Sequence, residues 1–294
     1  MTTSRSLQLF FIDGKPDGML TAEVFNWTGH VLCTPRTSIA RALQREAASY
    51  TGIYILLGED ESGQRAYIGE GENIANRLRS HDANKDWWDQ AILVTSTGNN
   101  LHKAHVQYLE SRLVQQALIA ASTHLDNGNN PRPPTLSEAD QANMESFLDY
   151  LFMVLPALRI DIFLTQTRSI DQRDYKNEEN HRFVLQIKRE GIRATAIMDG
   201  SDFVVLKDSQ CRKEWIGDTT NWSSYSKLHN KLRNSGVIVS DENSEYGRFA
   251  KDYAFTSSSA AGACITGRAT SGPIAWRLEE TGETYKEWEA RTLA

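Results

Sequence analysis

The stretch that decides the reading of this chain is Gly52-Ile53-Tyr54-Ile55-Leu56-Leu57, an eight-residue polar interval, then Ala66-Tyr67-Ile68-Gly69-Glu70-Gly71-Glu72-Asn73-Ile74-Ala75-Asn76-Arg77-Leu78-Arg79-Ser80-His81. Gly52 to Leu57 is apolar and β-rich. Gly58 to Arg65 is polar and holds two glycines, which is turn composition. Ala66 to Ile68 is β-rich again. Two such runs across a polar turn predict a hairpin. Asn73 then stands where a helix N-cap belongs, ahead of Ile74, Ala75 and Leu78 at helical spacing. One tyrosine is therefore expected on each strand, with a basic helix directly after them.

The helix places its polar residues unequally. At about 100° per residue from Ile74, Leu78 lies near ~40°, His81 near ~340°, Arg77 near ~300° and Arg79 near ~140°. Arg77 and His81 are thus i,i+4 neighbours on the rim of the apolar ridge, and Arg79 points elsewhere. Taken alone, Arg77 reads as a snorkelling rim residue and His81 as a half-buried histidine. Beside two tyrosines, Arg77 reads as a site residue; for His81 both readings stand.

Outward from this stretch, the 294 residues fit one large domain or two of ordinary size. The net charge is −6. Residues 1–49 carry +1, 50–135 carry −3, 136–180 carry −5 and 181–294 carry +1. Any nucleic-acid contact is therefore expected from a local patch, not a global field. The three cysteines, Cys33, Cys211 and Cys264, are far apart and odd in number, which argues against a disulfide framework or zinc site and for a reducing cytoplasm. No signal peptide and no membrane span are expected.

After the basic helix, Trp87-Trp88 reads as core bridging to a strand over Ala91 to Thr95, with base stacking as the lesser alternative. Leu101 to about Ala121 then has the spacing of a long helix. Its stripe is Val106, Leu109, Leu113, Val114 and Ala117, and Glu110 falls inside it. A carboxylate on a buried face is costly unless it is paired or holds a metal. Arg77 is one candidate partner.

The remaining segments set the boundaries. Residues 1–49 read as an extension packed on the hairpin domain, 50–135. A helix with Met144, Phe147, Leu148, Leu151, Phe152 and Leu155, opened by a capping box at Ser137, dominates a helix-and-linker segment, 136–180, and is expected to touch both halves. Residues 181–294 begin with a meander, Phe183–Lys188, Ala194–Met198 and Phe203–Lys207, and later hold a small-residue helix after Phe255. Ser257, Ser258 and Ser259 at its N-terminus, with Arg268 and Lys251, read as a phosphate seat that would bind DNA. The alternative makes Ser257 an N-cap and the alanines a means of close packing. The expected class is α+β: a small antiparallel sheet flanked by helices, plus a second small α+β domain.

The pair Gly52-Ile53-Tyr54 and Tyr67-Ile68-Gly69, with Arg77 on the next helix and Tyr108-Leu109-Glu110 on a later one, resembles the GIY-YIG nuclease superfamily. The C-terminal part resembles a small domain of unsettled role found fused to such nucleases, proposed to sense DNA. The resemblance implies a divalent-metal-dependent endonuclease hydrolysing DNA phosphodiester bonds. It implies Glu110 as holder of Mg²⁺ or Mn²⁺, Arg77 as stabiliser of the phosphorane, and Tyr54 as the group that positions or activates water. Tyr67 would hydrogen-bond that water or the phosphate, and His81 would orient Tyr54 or share its proton. Many members carry an asparagine after the glutamate helix; Asn127 is the best match, with Asn129 and Asn130 as alternatives and a plain turn role for all three as another. An RNA-directed nuclease or toxin, and a binding module with a vestigial site, remain as alternatives.

Overall fold

The computed structural model describes residues 4–60, 63–82, 85–168, 181–220, 223–240 and 246–293. The chain divides into two compact units, Met1–Thr165 and Gln166–Ala294. Both are mixed α+β, as the sequence predicts.

The first unit is built on a seven-stranded sheet. Its strands are β1 (Leu7–Phe11), β2 (Leu20–Val24), β3 (Gly29–Pro35), β4 (Gly52–Asp60), β5 (Gly63–Gly71), β6 (Trp88–Ser96) and β7 (His124–Leu125). Their spatial order is β1-β2-β3-β6-β4-β5-β7. The helices are α1 (Ile39–Ala42), α2 (Ile74–Asp82), α3 (Lys103–Ala120) and α4 (Glu138–Ala157). Every pairing is antiparallel except β5 with β7, which is parallel.

Two expectations change here. The hairpin strands run on through the polar interval, with Gly52 opposite Gly71 and Asp60 opposite Gly63. Gly58 lies within the strand, where only glycine fits: a Cβ there would stand 2.2 Å from the Trp87 carbonyl oxygen. Polar composition reflected an exposed strand end, not a turn. Second, residues 1–49 do not pack on a small sheet; they continue it. β3 pairs with β6 from Gly29↔Ser96 to Pro35↔Gln90, so the sheet is larger than expected.

Strand alternation gives the sheet two apolar faces. Ile53, Ile55, Ile68, Ile92 and Val94 meet Val106, Leu109 and Leu113 of α3 and Phe147, Leu148 and Leu151 of α4. Tyr54, Leu56, Leu32 and Leu93 meet Ile74, Ala75 and Leu78 of α2, with Ala42 of α1. The apolar face of α4 thus joins the core of the first unit, where the sequence had it touching both halves. Ser137 caps it by accepting from the Asp140 N–H at 3.1 Å.

The second unit has strands β8 (Thr167–Arg168), β9 (Arg182–Ile187), β10 (Ile192–Asp199), β11 (Asp202–Val205), β12 (Gln210–Arg212), β13 (Ile238–Val239), β14 (Tyr246–Phe249), β15 (Asp252–Phe255) and β16 (Arg277–Leu278). They form a six-stranded sheet, β16-β9-β10-β11-β15-β8, and a three-stranded one, β12-β14-β13. Helices α5 (Ser223–Asn234), α6 (Ser258–Thr266), α7 (Gly272–Ala275) and α8 (Tyr285–Thr292) complete it. The predicted meander is β9-β10-β11. Because β8 pairs with β15, the second unit starts before residue 181; residues 169–180 of the expected linker lie outside the described ones.

Candidate active site

The site forms at one end of β5, and glycines make room for it. Tyr54 on β4 faces Gly69 on β5. A Cβ at Gly69 would stand 2.4 Å from the Tyr54 hydroxyl and 2.5 Å from Cζ. The tyrosine ring therefore lies across the bare backbone of Gly69, which explains why the second tripeptide ends in glycine. Gly52 is equally constrained: a Cβ there would meet the Val94 carbonyl oxygen at 2.3 Å and Ile74 Cδ1 at 2.8 Å. That contact seats the first residue of α2 against the hairpin.

Tyr54 is fully buried. Its ring centroid lies 6.0 Å from that of half-buried Tyr67. Burial first, then the neighbouring Tyr67, push the Tyr54 hydroxyl well above the usual phenol range, while Arg77 pulls the other way. Tyr54 is consequently protonated near neutral pH. This narrows the sequence reading, which left both water positioning and water activation open: a phenol in this state donates a hydrogen bond and is a poor base.

Arg77 is exposed on α2, and Gly71 lies beneath its side chain, 3.3 Å from a notional Cβ to Arg77 Cβ. Asn73 caps α2 by accepting from the Asn76 N–H at 2.9 Å, as the sequence predicts. Arg79 turns aside to Asn76 Oδ1 at 3.0 Å. His81 belongs to α2, but its side chain lies outside the described ones.

Glu110 sits on α3, half-buried. Burial raises its carboxyl to about 7, the Glu70 charge adds to that, and Lys103 and Arg77 oppose it. The charges of Arg77 therefore act on both Tyr54 and Glu110, which brings three of the predicted residues to one place. Glu70 was not singled out in the sequence. Its signal was available: Ala66 and Ile68 point into the α3 side of the sheet, and alternation puts a carboxylate next in that row. Lys103 Nζ holds Glu70 Oε1 at 2.6 Å, and Glu70 Oε2 is enclosed with no hydrogen-bond partner among the described residues.

Asn127 takes a different part from the one expected. Its Oδ1 accepts from the Ile68 N–H at 3.1 Å and its Nδ2 donates to the Ile68 carbonyl at 2.7 Å. Both ends of the amide thus continue the β5–β7 pairing past Leu125, so Asn127 braces the strand that carries Tyr67. Asp126 reinforces the same edge, pairing with Arg65 and Lys85. Lys85 Nζ in turn lies 4.6 Å from the Tyr67 ring centroid. Trp88 is core, as expected, with Arg36 over its ring at 4.5 Å.

The expected phosphate seat in the second unit does not assemble. Ser257 is the N-cap of α6, accepting from the Ala260 N–H at 3.1 Å. Ser258 is buried, and its carbonyl accepts from Trp276 Nε1 at 3.0 Å. Ser259 Oγ accepts from the Gly272 N–H at 3.2 Å. The chain closes over these residues so tightly that a Cβ at Gly272 would be 2.1 Å from the Ser258 carbonyl carbon. Arg268 follows the C-cap Gly267, at the other end of a nine-residue helix, about 13 Å away along the axis. Lys251 is exposed at the opposite end of β15 from the serines. The packing alternative for Ser257 and the alanines is the one realised.

Among the described residues no group of three or more His, Cys, Asp or Glu could hold a metal ion. No helix among the described residues is long and apolar enough to cross a membrane. Residues 183–289 match a family model described as a domain of unknown function (DUF4357). No curated protein and no solved structure matches the chain.

Proposed function

We propose that the first unit is a divalent-metal-dependent endonuclease of the GIY-YIG kind that hydrolyses DNA phosphodiester bonds. The observation that carries this reading is that the Arg77 charge bears on both Tyr54 and Glu110, while the Tyr67 ring lies 6.0 Å from that of Tyr54. The donor set fits Mg²⁺ or Mn²⁺: hard carboxylate oxygens, one of them the enclosed Oε2 of Glu70 and another on Glu110. Glu110 would hold the ion, which when bound supplies Lewis acidity and stabilises the leaving oxygen.

The chain's own residues divide the rest. Tyr54 and Tyr67 orient the attacking water through their hydroxyls. Arg77 neutralises charge that grows on the phosphorane. His81, one turn beyond Arg77 on α2, is assigned the water's proton, because Tyr54 is already protonated. Asn127 keeps β5, and so Tyr67, in register.

The test is cleavage of a plasmid and of a structured RNA by the purified chain, in Mg²⁺ or Mn²⁺ and in EDTA. Metal-dependent nicking or linearisation of the plasmid, lost in Glu110→Gln, is expected. Cleavage of the RNA alone would move the substrate class to RNA. An inert wild type that still binds nucleic acid would replace the enzyme with a binding module.

A further inference from the structure

Lys103 and Glu110 are seven residues apart on α3. Seven residues turn the helix through about 700°, within ~20° of two full turns. Both side chains therefore leave the same side of α3, at the edge of its apolar stripe. Glu70, on β5, takes the Lys103 ammonium on Oε1 at 2.6 Å. Its other oxygen is sealed from solvent with no donor among the described residues. An enclosed acceptor without a donor is costly.

The two members of the pair also differ. The Glu70 side chain is 15% exposed and the Lys103 side chain 45%. The carboxylate is fixed by its strand, whereas the ammonium sits on a flexible, half-solvated stem that can leave at little cost.

We propose that Glu70 is a second carboxylate ligand of the divalent cation, and that Lys103 is a resident counter-ion which the cation displaces. The proposal rests on the metal-dependent reading above. In the metal-free protein Lys103 offsets two carboxylates that face each other across the α3–β5 contact. On loading, the cation takes Glu70 Oε2 and Glu110, and the lysine turns to solvent. No bond to carbon or phosphorus changes in this exchange; one cation replaces another.

The experiment is Mn²⁺ binding by calorimetry and by the electron paramagnetic resonance of free Mn²⁺, without nucleic acid. The proteins are the full-length wild type, Glu70→Gln, Glu110→Gln and Lys103→Met, each checked for a cooperative thermal transition. Glu70→Gln should weaken Mn²⁺ binding on the order of tenfold or more. The deficit should persist in 1 M KCl, where the screening length is about 3 Å and a merely distant charge no longer acts. Lys103→Met should bind at least as tightly as wild type.

Wild-type affinity in Glu70→Gln, with binding lost in Glu110→Gln, would overturn the role of Glu70 and leave the nuclease reading standing. A Glu70→Gln deficit that vanishes in 1 M KCl would overturn direct ligation, and weaker binding by Lys103→Met would overturn the counter-ion. Tight Mn²⁺ binding that needs both glutamates, in a protein that cuts no nucleic acid, would support this proposal and sink the nuclease reading instead. If Glu70→Gln does not fold, Glu70→Asp in the same two salts takes its place.

Discussion

Two stretches of this chain carry polar groups in places that suggest chemistry, and they come out differently. Around β5 in the first unit, Glu110 is half-buried with its carboxyl raised to about 7, and Glu70 Oε2 is enclosed without a donor among the described residues. Around the start of α6 in the second unit, Ser257 caps the helix, Ser258 is buried, and Ser259 accepts from Gly272. The first set has needs its own fold leaves open; the second is consumed by its own fold. A buried polar group costs free energy unless it is satisfied. Unmet need is therefore the firmer ground on which to propose a site than residue type or position at a helix end.

The sharpest way to break this contrast is Glu110→Gln. It should abolish cleavage while the protein stays folded, as judged by its thermal transition. It should also change the pH dependence of the metal-free protein. The folded carboxyl is raised from 4.5 to about 7. The folded form then binds the extra proton, so its contribution to stability is complete below about pH 4.5 and is lost as pH rises through about 7. The wild type should lose up to ~3 kcal/mol over that window, less after solvent screening, relative to the glutamine variant. Parallel melting curves from pH 5 to 8 would show that Glu110 is an ordinary solvated carboxylate.

Next in size is Tyr54→Phe. The ring and its crossing over Gly69 are kept, and only the hydroxyl goes. Loss of one positioned group costs ~10²–10⁴-fold in rate, with binding of uncut DNA little changed. Single-turnover rates on saturating DNA decide it, and a rate within a few fold of wild type would make Tyr54 a packing residue.

A smaller effect concerns metal and pH together. A carboxylate that titrates near 7 must lose its proton to hold a cation. The Mn²⁺ concentration for half-maximal cleavage should rise about tenfold for each pH unit below 7 and level off above 8. A flat response from pH 5.5 to 8.5 would remove Glu110 from the metal.

The sequence carried the site further than the fold around it. Gly52, Tyr54, Gly69 and Arg77 were legible because each is tied to its neighbours over a few residues: a hairpin register, a cap and one helical turn. Glu110 was legible as a carboxylate inside an apolar stripe. The sheet size was not, because the pairing of β3 with β6 joins residues about sixty apart and leaves no local pattern. Asn127 was read through the resemblance, as the asparagine after the glutamate helix; its partner, the Ile68 main chain, has no side-chain signature. Glu70 stood in plain alternation but was not singled out, because only its meeting with Lys103 marks it. The α6 serines were read correctly as a helix start, but nothing local showed that Gly272 would close over them.

The smallest effect tests the other half of the contrast. Ser257→Ala removes the side chain that accepts from the Ala260 N–H at 3.1 Å, so the first turn of α6 loses its cap. Such a loss costs about 1 kcal/mol, seen as a lower denaturant midpoint at unchanged slope. If the serine only serves its own helix, the salt dependence of DNA binding should be the same in wild type and variant. If it held a phosphate, one released counterion would flatten that dependence by about one unit of slope. Arg268→Ala is the companion measurement, because Arg268 stands past the far end of the same helix. A variant at Ser257 that keeps its stability but loses salt-sensitive affinity would return the α6 N-terminus to nucleic-acid binding. It would also show that a helix end closed by its own chain can still reopen for a phosphate.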